Sequence, residues 1–129
     1  MKILSVVLLT LCTFGCGYSS KSSTPPQAGT VPAISALAPN NANSGSTAFV
    51  LTVNGSKFAS TAKINFGTTA MTTTFISANQ LTASIPATAI ATPGAVHVTV
   101  TNPAIPGTGQ YGSGGTLAET SNSMDFTVN

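Results

Sequence analysis

Val96-His97-Val98-Thr99-Val100-Thr101 alternates apolar and polar side chains without a break. A period of two puts three valines on one face of an extended chain and His97, Thr99 and Thr101 on the other, the pattern of a strand with one buried side. Up and down the chain the same alternation returns at intervals of about ten residues. Leu81, Ala83 and Ile85 alternate with Thr82 and Ser84 until Pro86 stops them. A Thr-rich run, 68–77, reads as an edge or connecting strand. Ala62, Ile64 and Phe66 share a face opposite Lys63 and Asn65, and Gly67 ends that strand. In 48–54, Phe49, Leu51 and Val53 oppose Val50 and Thr52, and Asn54-Gly55 reads as the turn that follows. Residues 33–37 open the series before Pro39-Asn40-Asn41, and Met124, Phe126 and Val128 close it.

Seven short strands within 31–129 are the number and size of an immunoglobulin-like β-sandwich, so the fold class is all-β. The predicted core is Ile34, Leu37, Phe49, Leu51, Val53, Phe58, Ile64, Phe66, Leu81, Ile85, Val96, Val98, Val100, Phe126 and Val128. Composition agrees. The 21 Thr, 15 Ser, 12 Gly and 8 Pro supply β-formers and turn formers, while strong helix formers are scarce.

Only 5 % of the 129 residues are charged, against about 25 % in an ordinary soluble domain. With no Arg, and with Lys21, Lys57 and Lys63 scattered, the chain lacks the phosphate contacts that carry nucleic-acid affinity. Zinc sites need clustered His or Cys, and calcium sites need several carboxylates. His97 is the only His, and Glu119 and Asp125 are the only acids, so no metal or cofactor is expected. His97 and Asp125 both point outward on strands joined by one loop, which predicts a solvated pair and not a catalytic base beside a nucleophile. No G-x-S-x-G motif is present, and the two carboxylates are not placed as a glycosidase pair. A non-enzymatic protein is expected.

Residues 1–15 read as a signal peptide. Met1-Lys2 gives a positive start, and the apolar run 3–14 would rise about 18 Å as a helix, too short for a hydrocarbon core of about 30 Å. Phe14-Gly15-Cys16-Gly17 resembles a lipobox, the cleavage and acylation site of bacterial lipoproteins, with Gly15 at the preferred small position. Thr13 departs from the usual Leu. Cys16 is the expected lipidation site, and an ordinary signal peptide on a secreted protein is the alternative. Cleavage there discards Cys12 and blocks Cys16, which leaves the domain without a disulfide. Residues 16–30, dense in Ser, Thr, Pro and Gly, read as a flexible tether.

Several stretches taken together resemble a known family. They are Phe49-Val50-Leu51-Thr52-Val53-Asn54-Gly55-Ser56-Lys57-Phe58, Ala62-Lys63-Ile64-Asn65-Phe66-Gly67, residues 74–87, Val98-Thr99-Val100-Thr101-Asn102-Pro103 and Phe126-Thr127-Val128. In this order they resemble the IPT/TIG domain, and residues 34–39 with Ser44-Gly45 fit its opening strand and turn. The resemblance implies an immunoglobulin-like domain over almost all of 31–129. Among its relatives are cell-surface receptors, DNA-binding transcription factors and secreted bacterial proteins, and some relatives occur beside starch-active domains. One departure is the loop 102–122, where the family makes a short Gly-rich connection. At 21 residues it exceeds the roughly 12–15 expected of a structureless loop. It joins the last two strands, where variable immunoglobulin domains carry a binding loop. Tyr111, set among glycines, together with Gln110, Ile105 and Leu117, forms the candidate partner-binding set. The alternative is a mobile surface insertion.

The expected function is a lipid-anchored binding or adhesion module of the bacterial cell envelope, contacting another envelope or surface protein through this loop and the Thr/Ser strand faces. Two alternatives stay open. One is a structural spacer or assembly subunit acting through strand edges, which few charges guard. The other is a carbohydrate-binding module, although Tyr18 and Tyr111 are the only aromatic residues expected at the surface.

Overall fold

The computed structural model describes residues 25–108 and 114–129; the expected signal peptide, Cys16, most of the tether, Gln110 and Tyr111 lie outside them. The described residues form an all-β fold of two sheets. In the first, β1 (Ala33–Ala38), β3 (Phe49–Ser56), β7 (Gln80–Ile85) and β6 (Thr73–Ser77) lie side by side in that order, every pair antiparallel. In the second, the order is β2 (Asn41–Ala42), β10 (Met124–Val128), β8 (Gly94–Asn102), β4 (Lys63–Phe66) and β5 (Thr69–Ala70). A further short strand, β9 (Glu119–Thr120), pairs with the end of β8. Seven strands have four residues or more, the predicted number, and β2, β5 and β9 are two-residue additions.

The alternation read from the sequence faces the way it predicts. Thirteen of the fifteen predicted core residues are buried, while Phe49 and Val96 pack at the margin half-buried. Phe126 is wholly enclosed and joins the sheets: it stacks on Phe49 of the first at 5.5 Å between ring centres and meets Phe66 of the second edge-on at 5.3 Å. Enclosing such a side chain contributes about 1.5–3 kcal/mol. Four residues join the core beyond the prediction: Ala62, Met71, Ala83 and Ile90. Ile90 ends a single 3₁₀ turn (Ala87–Ile90), which carries no strand or helix period. Met71 lies where the chain crosses from β5 in one sheet to β6 in the other, so the Thr-rich run holds two strands.

Asn54-Gly55 is not a turn. Both residues lie inside β3, opposite Ala36 and Ile34 of β1. Gly55 is required for a different reason: a Cβ there would overlap the Ala33 carbonyl oxygen and the tip of the Phe58 ring. Its amide donates to the Asn79 carbonyl at 2.9 Å. The Asn54-Gly55-Ser56 triplet is thus part of a paired strand and not an exposed loop.

Candidate functional site

One end of the sandwich gathers most of the irregular chain, and Asn102 organises it. This is the one buried polar side chain among the described residues. Its Oδ1 accepts the Ala59 amide at 2.9 Å, and its Nδ2 donates to the Thr30 carbonyl at 2.8 Å and the Lys57 carbonyl at 2.9 Å. The segment before β1, the β3–β4 connection and the end of β8 are therefore tied at one point. Full pairing matters because a buried amide without partners costs several kcal/mol, of order 2–7.

Beyond Asn102 the long loop is not structureless where it is described. Ile105 and Thr116 exchange both backbone hydrogen bonds, at 3.0 and 2.9 Å. Gln27 adds a parallel rung on the far side of Thr116, its amide donating to Gly115 at 2.9 Å and its carbonyl accepting from Leu117 at 3.0 Å. The last part of the stretch read as a tether is therefore docked on the loop. Gly29 permits this, since a Cβ there would overlap the Leu117 carbonyl oxygen. Ile105 and Leu117 remain 59 % and 52 % exposed beside an open groove of about 300 Å³, whose walls include Gln27, Ala59, Pro103 and Asn102. The structure thus brings two of the four candidate loop residues to one groove, and Gln110 and Tyr111 fall outside the described residues.

The outer faces of the two sheets differ in chemistry. On the second sheet, His97 and Asp125 are direct cross-strand partners, and the His97 ring nitrogen Nδ1 donates to Asp125 Oδ1. Both side chains are open to water, 72 % and 61 % exposed, which is the predicted solvated pair. Beside them Asn65 donates to Thr99 at 3.2 Å and Thr101 at 2.9 Å, and Thr101 meets Thr120 at 3.1 Å. Among the described residues no three His, Cys, Asp or Glu side chains come together.

The first sheet contains no charged residue and no His in any of its four strands. Ala38, Thr52, Thr82 and Thr74 form one cross-strand row on its outer face, and Ala36, Asn54, Gln80 and Ser77 form the next. Val50 stands out from this face, 60 % exposed, and Ile76 on the edge strand β6 is 54 % exposed. Phe75, also on β6, is 39 % exposed, which corrects the expectation that Tyr18 and Tyr111 are the only aromatic residues at the surface: an edge strand leaves one of its sides uncovered.

Strand edges are occupied by devices other than charge. The outer backbone groups of Ile64 in β4 are taken by the Thr73 hydroxyl and the Met71 amide. Ile34 in β1 is paired with the Asn122 side chain. The longer free edge, β6, is broken by a register shift between Phe75 and Ser77. Such irregularities discourage edge-to-edge pairing.

Sequence reasoning missed Asn102 and Asn122 as anchors. The only available signal was an amide side chain at each end of the long loop. The IPT/TIG domain family profile matches residues 32–118. No curated protein matches the chain.

Proposed function

The chain belongs to the IPT/TIG domain family, whose immunoglobulin-like modules generally serve protein interaction, and from this we propose that it is a non-enzymatic binding module of the bacterial envelope. It is held to lipid through Cys16 and binds a protein partner on the outer face of the four-stranded sheet. The observation that carries this reading is that sheet's chemistry. Protein interfaces deplete charge at their centre, and this face has none, with Val50 standing exposed among threonines and Ile76 exposed on the edge strand beside it. The candidate loop residues Ile105 and Leu117 lie instead at the end that receives the tether, which favours the sheet face as the side turned to a partner. Edge-mediated assembly draws less support, because the edges are short, covered or irregular.

Site-specific photocrosslinkers at Val50 and Thr82 and, for comparison, at Asp125 and Leu117 test the partner face in intact bacteria. Discrete protein adducts from Val50 and Thr82, absent from Asp125 and abolished by Ser84→Lys, are the expected result. Adducts confined to position 117 would return the partner to the loop. The mass of the mature N-terminal peptide tests the anchor: acylated Cys16 in membranes supports it, and an unmodified N-terminus in the culture medium favours a secreted protein.

A further inference from the structure

We propose that the loop end of the sandwich rests on the lipid surface that holds Cys16, with Ile105, Leu117 and Val31 in the headgroup region and Lys57 and Lys63 beside them. This rests on the lipid anchor argued above.

The path of the chain is the first support. Gln27 is hydrogen-bonded to Gly115 and Leu117, so the segment coming from Cys16 reaches the sandwich at this end. Eleven residues lead from Cys16 to Gln27 and span at most about 40 Å. The nine residues of β8 measure about 30 Å. Turning the opposite end to the membrane would require the connecting chain to run back along the whole domain at about three quarters of its full extension. The loop end needs no such extension.

Exposure is the second support. Val31, Ile105 and Leu117 make up half of the six large apolar side chains exposed among the described residues. They belong to the two segments that Gln27 and Thr30 tie together.

Charge is the third. Both described lysines lie at this end: the Lys57 carbonyl accepts from Asn102, and Lys63 is paired with Thr101. Glu119, opposite Asn102, is the one described acid there, while Asp125 sits further along, paired with His97. The end is therefore net positive, which complements an anionic leaflet, and apolar side chains flanked by lysines are the chemistry of an interfacial contact.

The test uses the full-length protein, acylated in a bacterial host and reconstituted into phosphatidylcholine vesicles with about a quarter phosphatidylglycerol. A fluorophore is attached at Ile105→Cys, Leu117→Cys or, at the opposite end, Thr92→Cys, and lipids spin-labelled in the headgroup quench it. Quenching at 105 and 117 at least about threefold stronger than at 92 is expected for side chains at the interface. Adding Ile105→Ser and Leu117→Ser should weaken the quenching of a label at Val31→Cys. Vesicle flotation and the N-terminal peptide mass read the anchor separately. Protein that floats with acylated Cys16 yet is quenched equally at all positions overturns the placement and leaves the anchor standing. Protein that carries an unmodified Cys16 and does not float overturns both.

Discussion

Asn122 and Ile34 pair as two residues of adjoining strands would: the Ile34 amide donates to Asn122 Oδ1 at 2.8 Å, and Asn122 Nδ2 donates to the Ile34 carbonyl at 3.0 Å. A side-chain amide here substitutes for a peptide group. It closes the free edge of β1 where that strand shifts register between Ile34 and Ala36, and it fixes the chain's return from the loop into β10.

Replacing Asn122 with Ala removes both bonds at a half-wet site. A loss of about 1–2 kcal/mol is expected, at roughly 1 kcal/mol per bond. Urea unfolding should show a lower midpoint with an unchanged slope, and amide exchange should speed up most at Ile34.

Asn102→Leu should be far more damaging than its change in size implies. The Ala59 amide and the Thr30 and Lys57 carbonyls would lose their shared partner beneath the loop end. About 3 kcal/mol or more is expected, since each buried unsatisfied group costs about 1–3 kcal/mol. Asn102→Asp keeps the acceptor for Ala59 but turns an oxygen toward two carbonyls, so it should not rescue the midpoint in urea.

Two glycines separate global from local effects. Gly55→Ala forces the edge strand β1 away from β3 and presses on the buried Phe58 ring, and about 2–4 kcal/mol is expected, in the range of overpacked or strained core sites. Gly29→Ala meets only the Leu117 carbonyl and the Glu119 side chain at the periphery. It should release the Gln27 rung and accelerate exchange of the Leu117 amide while moving the global melting temperature little.

His97→Ala and Asp125→Ala should each change stability by less than about 1 kcal/mol, because both side chains are exposed and water replaces the contact readily. Thermal melts of the two variants beside the parent protein would check this.

The strands were legible because each keeps one wet face. Thr52 beside Leu51 and Val53, or Thr99 beside Val98 and Val100, writes its burial directly into the sequence. Ile90 was not legible, because a 3₁₀ turn between Pro86 and Pro93 has no repeat to read. Gly55 was misread, because Asn-Gly marks a turn only when no neighbouring strand needs the space of its missing Cβ. Ile105 and Leu117 could be picked out as apolar residues in a polar loop, but the docking of Gln27 beside them depends on partners more than eighty residues away. The anchoring roles of Asn102 and Asn122 are likewise long-range, and no local pattern encodes them.

The Ile105–Thr116 rung has a consequence for how this domain can diversify. The chain between the two residues begins and ends at one hydrogen-bonded pair, and just inside it Gly115 is held by the Gln27 amide. The Asn122 clasp and the Ser121 hydroxyl, which receives the Val100 amide at 2.8 Å, hold the following strand from below. A segment bounded in this way is a socket. Doubling its length should cost only about 0.6 kcal/mol of closure entropy, so new sequence can be installed there while the sheets keep their register.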